Sequence, residues 1–226
     1  MHIYFLQHSD YGTPARLADW LTGMGHSYNI CALHRGEVPP RPEDVDGLIV
    51  LGGPMGPHDD ESHPWLKRER KLIDRLLKSS KPLMGVGLGA ELIADAMGAV
   101  VSRAPRAEIG WHDITRSDEA ELALPPAFCL FQWHTRIFGL PDDCAPIGHS
   151  AACPVQGFSW DDNRVIALQG HIEATRAWAQ AHYAALTLPE GLSSQDEATA
   201  LEQPRLFDHL APLLDRIMVA WTESVD

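Results

Sequence analysis

The sequence predicts an α/β fold, in which short buried strands alternate with helices to build a mostly parallel sheet. Short apolar runs bounded by Gly and Pro recur through the first half of the chain, and segments of helical period separate them. The length of 226 residues and the hydrophobic content of 45% allow one sizeable core. We therefore expect a single domain that spans residues 1–226.

The first half of the chain supplies most of this pattern. Each expected strand is a short apolar run, and each expected helix places its large apolar residues on one face. Strands are expected at residues 3–6, 27–33, 47–51 and 82–86, and helices at residues 14–24, 64–78 and 90–97.

The second half has a different texture. Strand-like pieces are separated there by turns that contain Pro and Asp, which predicts an antiparallel or mixed portion of sheet. Helical spacing returns over residues 174–184 and 206–221, and the polar stretch at 189–204 is expected to be a mobile surface segment. The strand-like pieces centre on Val100, Ile114, Leu130, Val155 and Val165.

Charge and composition exclude several classes of function. Lys and Arg total 18 against 31 Asp and Glu, a net charge of −13, so the basic footprint of a nucleic-acid or anionic-lipid partner is missing. Residues 1–6 lack a basic start and are followed by polar residues, which is typical of neither a signal peptide nor a membrane span. The four cysteines form no C-x-x-C pair, and the histidines have no metal-ligand spacing. We expect a cytoplasmic protein with reduced thiols, without a metal or cofactor, and without nucleic-acid or membrane partners.

The strongest motif is a strand that passes through a glycine-flanked turn into a helix. The strand at residues 82–86 leads to Gly87, and a helix begins near Leu88. This is the pattern of a nucleophile elbow, which projects the apex side chain above the sheet and places the next amide at a helix N-terminus, where it can stabilise an oxyanion. The flanking Gly85 and Gly89 leave room for that approach.

A second motif follows the apolar run at residues 165–168. His171 stands two residues before Glu173, between that expected strand and a helix. An imidazole that a nearby carboxylate orients can act as a general base. The other histidines, His58, His63 and His112 among them, are expected to be structural or exposed.

With these motifs the sequence resembles the class I glutamine amidotransferases, and especially the stand-alone relatives of the GMP synthase amidotransferase domain. The resemblance implies a flavodoxin-like, mostly parallel sheet flanked by helices, with a smaller antiparallel or mixed portion. It also implies glutamine hydrolysis and ammonia transfer through a Cys-His-Glu triad. Six ordered blocks carry it: GGPM at 52–55, PLMGVGLGAELIA at 82–94, EIGW at 108–111, WH at 133–134, CPVQGF at 153–158 and LQGHIE at 168–173.

The resemblance assigns roles residue by residue. His171 and Glu173 match the triad, and the amides of Gly53 and Leu88 match the oxyanion hole. Met55, Glu91 and His134 fall at positions that contact the substrate.

The chain departs from the family at three places. Gly87 occupies the position of the nucleophilic cysteine, Glu91 replaces a glutamine-binding Gln, and the usual His-Gly-Asp reads His134-Thr135-Arg136. A thioester cannot form on a residue without a side chain, so ordinary glutaminase activity is expected to be lost, whereas glycine preserves the turn.

Three alternatives stay open. The run Gly85-Val86-Gly87-Leu88-Gly89-Ala90 also satisfies a dinucleotide-binding fingerprint, with Glu108 as the ribose-binding acid. The pocket could instead serve a non-catalytic sensor or scaffold that binds a glutamine-like amide or carboxylate, a partner protein or a second copy of the chain. Finally, His171 or Glu91 could activate water directly beside the glycine.

Overall fold

The structure is a computed structural model that describes residues 1–189 and 193–224. Its strands are β1 (His2–Gln7), β2 (Ser27–Ala32), β3 (Gly47–Val50), β4 (Leu83–Val86), β5 (Val101–Arg116), β6 (Ala127–Phe138), β7 (Ala145–His149), β8 (Gly157–Trp160) and β9 (Val165–Leu168). Its helices are α1 (Arg16–Gly23), α2 (Leu66–Leu77), α3 (Leu88–Ala96), α4 (Arg176–Ala185), α5 (Glu197–Leu201) and α6 (Pro204–Glu223).

All nine of these strands form one sheet, in the order β2-β1-β3-β4-β9-β8-β7-β5-β6. The five strands from β2 to β9 pair in parallel, and the pairs from β9 through β8, β7 and β5 to β6 are antiparallel. The expected α/β class is therefore confirmed, and the antiparallel portion continues the parallel sheet. Strand β9 comes last in sequence but lies beside β4 near the middle of the sheet.

Helices cover both faces of the parallel strands, so successive strand residues enter different cores. On β3, Leu48 and Val50 pack in the cluster that includes residues of α2 and α3. Ile49 between them packs in the cluster that includes residues of α1, α4 and α6. Strands buried on both faces read as continuous apolar runs, which is why the sequence shows their positions.

In the second half the sequence misses one strand and places two others one or two residues too early. It does not predict β7, because Pro146 and Gly148 lie inside this strand and usually interrupt one. The structure accommodates them with a register shift between β7 and β8 at Pro146 and Gly148. Val155 precedes β8, and Val100 precedes β5 with 76% of its surface exposed.

Residues 193–204, within the stretch predicted to be a mobile surface segment, are partly exposed and partly packed on the sheet, and residues 190–192 lie outside the described part of the chain. The Gln195 side chain both donates to the Trp111 carbonyl and accepts from its amide, each at 3.0 Å. Ser194 forms a β-bridge with Ile109, and Leu201 on α5 is buried. The polar composition gave no sign of this packing, because the Gln195 side-chain amide forms the hydrogen bonds that the backbone of a neighbouring strand would otherwise form.

None of the helices in the described ranges is long and apolar enough to cross a membrane.

Candidate functional site

The candidate site lies where β4 and β9 end side by side. Gly87 follows β4, and His171 follows β9 by a short turn. Because the carboxyl ends of neighbouring parallel strands meet at one edge of a sheet, these two motifs converge. A cavity of about 200 Å³ opens there, and its lining includes six of the predicted site residues: Gly53, Gly87, Leu88, Glu91, His134 and His171.

Gly87 adopts the backbone conformation of an elbow, with φ 55° and ψ −118°. Its amide donates to the Leu168 carbonyl of β9 at 2.9 Å, and its carbonyl accepts from the Glu91 amide at 3.1 Å. A positive φ of this kind costs a residue with a side chain about 1–3 kcal/mol. The turn is therefore fixed by backbone bonds at both ends, and glycine occupies it without that strain.

The two flanking glycines are required by close packing. A Cβ on Gly85 would lie 2.5 Å from the carbonyl carbon of Gly89, and a Cβ on Gly89 would lie 2.0 Å from the Val50 carbonyl oxygen. Helix α3 thus packs directly against the backbones of β3 and β4. This contact explains the glycine spacing that resembles a dinucleotide fingerprint.

The second part of that fingerprint does not fit the structure. Glu108, the candidate ribose-binding acid, is 1% exposed, and its two oxygens accept hydrogen bonds from Ser150 at 2.6 Å and Gln156 at 2.8 Å. Its carboxylate also contacts His134 at 3.1 Å. An acid held in this way is unavailable to a ribose hydroxyl, so the dinucleotide hypothesis is not supported.

The buried group of Glu108, His134 and Cys153 has the residue types of a metal site, and its possible ligand atoms lie within 4.8 Å of one another. Hydrogen bonds within the protein already account for the group: Cys153 Sγ, for example, donates to the Val155 carbonyl at 3.2 Å. Burial and the charge of Glu108 raise the pKa of the Cys153 thiol to about 12, although the contact with Val155 opposes this rise. Because these hydrogen bonds already engage the possible ligand atoms, the group is accounted for without a bound ion.

His171 and Glu173 form a buried pair. Nδ1 of His171 lies 2.8 Å from Oε1 of Glu173, and the imidazole packs against the Trp178 ring at 4.6 Å between centroids. The other ring edge faces the elbow: a Cβ on Gly87 would lie 3.0 Å from Cε1 and 3.4 Å from Nε2 of His171. A side chain at the elbow would therefore project beside Nε2.

The loop after β3 closes the cavity from the other side. Gly52 packs so tightly on His171 that a Cβ there would lie 2.9 Å from its Cε1. A Cβ on Gly53 would lie 2.9 Å from the Leu88 side chain, so the loop and the start of α3 are in contact. Among the described residues, neither the Gly53 nor the Leu88 amide has a hydrogen-bond acceptor in the protein. Both amides are free to donate to a ligand.

His8, which no sequence motif indicated, holds this loop through a contact with the Gly52 carbonyl. Nδ1 of His8 lies 3.2 Å from the Gly52 carbonyl oxygen, and Nε2 lies 2.8 Å from Oε1 of the buried Glu69. Burial lowers the pKa of His8, but the Glu69 charge and the hydrogen bonds to Glu69 and Gly52 outweigh burial, so its pKa is raised. A polar run just after β1 could have identified His8, because functional residues collect at the carboxyl ends of parallel strands.

Glu91 and Arg136, two residues at which the resemblance implied a departure from the family pattern, meet in the cavity lining. Nε of Arg136 lies 2.7 Å from Oε2 of Glu91, and the Arg136 guanidinium also donates to the Met55 carbonyl. Glu91 is 2% exposed, and its other oxygen lies 3.4 Å from Nε2 of Gln169. The charges of Glu91 and Arg136 therefore compensate one another.

Met55 was predicted to contact the substrate, and its placement does not support this for the side chain. The side chain is 5% exposed and belongs to the core cluster beneath the loop. It is not part of the described cavity lining. Met55 instead contributes its backbone carbonyl, which Arg136 binds.

His182 on α4 also lines the cavity, although no motif indicated it. Its Nδ1 lies 2.9 Å from the Trp178 carbonyl oxygen, and its ring stacks on the Trp178 ring at 3.4 Å between centroids. Burial and, secondarily, the charge of His171 lower the pKa of His182 to about 3, although the contact with the Trp178 carbonyl opposes this. His182 is therefore neutral near pH 7.

Fold and site together define an α/β protein with an elbow, a His-Glu pair and a glycine loop around a cavity. The sequence model of the family described as glutamine amidotransferase class-I matches residues 17–188. The chain belongs to the class I glutamine amidotransferase family.

Individual relatives agree with this assignment. The chain is 30% identical over 185 residues to the glutamine amidotransferase-like protein YfeJ of Salmonella typhimurium, covering 77% of each chain. It is 33% identical over 134 residues to a subunit of the glutamine-hydrolyzing GMP synthase of Thermoplasma acidophilum, covering 58% of this chain and 64% of that protein.

Solved structures extend the similarity to almost the whole chain. A glutamine amidotransferase from Methylobacillus flagellatus superposes with a TM-score of 0.91 at 26% identity, covering 99% of this chain and 95% of that one. A glutamine amidotransferase from Thermotoga maritima gives a TM-score of 0.87 at 27% identity, covering 100% and 98%.

Proposed function

We propose that this chain keeps the amidotransferase fold without the glutaminase reaction, and that its cavity binds a small ligand carrying an amide or a carboxylate. The observation that carries the proposal is Gly87, which holds the elbow conformation but offers no atom that could form a thioester. Removing a nucleophile that works as a unit with its base usually lowers the rate by several orders of magnitude.

The cysteines of the chain do not replace the missing nucleophile. All four lie in the described ranges, none is disulfide-bonded and none lines the cavity. Burial is the largest cause that raises the pKa of each thiol, to about 11 for Cys31 and Cys144 and to about 12 for Cys129 and Cys153. Thiols of this kind are protonated near pH 7 and are poor nucleophiles.

The remaining cavity supports binding of an oxygen-bearing ligand. The free amides of Gly53 and Leu88 are donors for a carbonyl or carboxylate oxygen. Arg136 adds a guanidinium whose side chain is 23% exposed. The Trp133 and Tyr11 side chains line the same cavity and offer apolar surface to the rest of a ligand. Binding of this kind requires no covalent chemistry at the elbow, and it is the property that a sensor or scaffold would use.

Two measurements on the purified chain test the proposal. Incubation with glutamine is expected to release no ammonia above the blank, and a rate comparable to that of cysteine-bearing relatives would contradict the loss of glutaminase activity. Calorimetric titration with glutamine, glutamate and γ-glutamyl peptides is expected to detect binding of at least one of them. If none of them bound, the ligand class would be wrong.

A matched pair of variants locates the binding. Thr135 is exposed and lines the cavity, so Thr135→Trp should narrow it and weaken binding. Thr115 is exposed on β5 away from the cavity, so Thr115→Trp should leave the affinity unchanged. Equal affinities of the two variants would place the ligand elsewhere.

A further inference from the structure

The cavity contains three histidines whose hydrogen-bonding states differ. His134 has both ring nitrogens engaged, Nδ1 with the Arg136 carbonyl at 2.8 Å and Nε2 with Glu108 at 3.1 Å. His182 has Nδ1 engaged with the Trp178 carbonyl, and its pKa of about 3 makes it a weak base. Neither of these two is suited to take a proton from a ligand.

His171 differs from both. Its Nδ1 is held by Glu173, and among the described residues Nε2 has no hydrogen-bond partner in the protein. A carboxylate behind Nδ1 favours the tautomer whose Nε2 accepts, and it stabilises the imidazolium that forms when a proton arrives. His171 is thus the cavity histidine arranged as a general base.

Gly87 leaves the space beside Nε2 unobstructed. The direction in which an elbow side chain would project passes 3.4 Å from Nε2, measured at the Cβ position. Gly87 and His171 both line the cavity, whose volume of about 200 Å³ is large enough to hold water next to them. The free amides of Gly53 and Leu88 lie at the same elbow, where they can receive a developing oxyanion.

Glu91, the other candidate base, is already occupied. One of its oxygens pairs with Arg136 at 2.7 Å, and the other lies 3.4 Å from the Gln169 amide. Both Glu91 oxygens therefore already have partners in the protein, whereas Nε2 of His171 has none among the described residues.

We propose that His171 activates a water beside Gly87 and that the cavity hydrolyses small carboxylic esters by direct attack of this water. The inference rests on the proposed function, because it requires that no covalent nucleophile act at the elbow. Glu173 is the positioning residue that orients His171.

The reaction balances without a further reactant. Nε2 of His171 takes one proton from water while the water oxygen bonds to the ester carbonyl carbon, and the Gly53 and Leu88 amides stabilise the resulting oxyanion. The intermediate then collapses: the bond from carbon to the alkoxy oxygen breaks, and His171 returns the proton to the leaving alcohol. The products are a carboxylic acid and an alcohol. An ester suits this route because its carbonyl is more electrophilic than that of an amide.

The test follows release of p-nitrophenolate from p-nitrophenyl acetate by the full chain. His171→Gln is expected to lower kcat/KM by about 100-fold or more, the usual contribution of a general base. The matched control is His209→Gln on the exposed surface of α6, which should retain the rate of the unmodified chain. If His171→Gln and His209→Gln gave equal rates, the observed hydrolysis would be unrelated to the cavity and the inference would fail.

Three further variants separate an effect on the chemistry from an effect on folding. Glu173→Gln is expected to lower kcat with little change in the melting temperature, and Glu173→Asp should recover part of the loss because it restores a carboxylate. Gly87→Ala should also lower kcat, since its Cβ would lie 3.0 Å from His171 Cε1 and would intrude on the proposed water site. Full activity in both Glu173→Gln and Gly87→Ala would overturn the inference.

The time course distinguishes direct water attack from a covalent route. Direct attack gives linear release from the first turnover, whereas one rapid equivalent of p-nitrophenolate would indicate an acyl-enzyme and contradict the inference. A parallel assay with glutamine keeps the two proposals apart. Ammonia release at the rate of cysteine-bearing relatives would refute the proposed function, whereas absence of His171-dependent ester hydrolysis would refute only this inference.

Discussion

The two ends of the cavity depart from the family pattern in opposite ways. At the elbow end, formed by Gly53, Gly87, Leu88 and His171, the backbone holds an elbow conformation around a residue that has no side chain. At the charged end, two side chains are new, and they bind one another as the Glu91–Arg136 ion pair.

The difference is between a single position that lacks a side chain, Gly87, and a pair of charged side chains, Glu91 and Arg136, that depend on each other. Under the proposed function, Gly87 offers no reactive atom and needs no second change, because a glycine adopts the elbow conformation without strain. A lone acid at position 91 would be costly, since it is buried and an uncompensated buried charge destabilises the fold. The changes at the charged end therefore act as a unit, and those at the elbow end act alone.

The largest expected effect comes from restoring the family pattern at both ends. Gly87→Cys alone is expected to produce little or no ammonia from glutamine, because the ion pair still occupies the substrate-contacting side. Adding Glu91→Gln and Arg136→Asp should raise the rate by about 100-fold or more, since nucleophile and binding groups contribute together. The measurement is ammonia release under saturating glutamine.

Gly87→Ala combined with the same two substitutions is the control, since it matches the charged end but lacks a thiol and should stay inactive. If Gly87→Cys alone reached the rate of the triple variant, the charged end would be compatible with glutamine. The contrast between the two ends would then be wrong.

The next largest effect concerns the ion pair itself. Arg136→Met should reduce the free energy of unfolding by about 3 kcal/mol, because it leaves the Glu91 carboxylate buried without a partner. The double variant Glu91→Gln/Arg136→Met should lose less, because both charges are removed. Urea unfolding of the single and double variants yields the coupling energy. A coupling near zero would show that the two residues do not act as a unit.

The sequence predicts the elbow end better than the charged end for a physical reason. The elbow depends on glycine spacing within a few residues, and His171 and Glu173 are neighbours along the chain. The partners Glu91 and Arg136 are separated by 45 residues and meet only because β6 crosses near α3. Each of these two substitutions was visible in the sequence, but their pairing depends on the tertiary structure.

Other parts of the fold follow the same rule. Doubly buried strands such as β3 and β4 are visible as apolar runs, whereas β7 is hidden by the Pro146 and Gly148 that it contains. The support of the Gly52 loop by His8 depends on Glu69, which is 61 residues away along the chain. Local backbone requirements are thus readable in the sequence, and pairings between distant polar side chains are not.

The smallest expected effect is a pH dependence of the free energy of unfolding that arises from His8, next to the elbow end. The pKa of His8 is raised in the folded chain, because the effects of Glu69 and the Gly52 carbonyl exceed the opposing effect of burial. The stability contributed by protonated His8 is then fully present below its unfolded pKa of about 6.5 and is lost as the pH rises through the higher folded pKa. The effect should be smaller than that of the ion pair, since it is a difference between opposing contributions.

Urea unfolding of the original chain and of His8→Gln tests this sign. The stability difference between them should be larger at pH 6 than at pH 9, because raising the pH removes the proton that bridges His8 to Glu69. His209→Gln on exposed α6 should differ from the original chain by the same small amount at both pH values. A His8→Gln difference that grew with pH would mean that His8 is folded in its neutral form. The Gly52 loop would then be supported by a neutral hydrogen bond rather than by a buried ion pair.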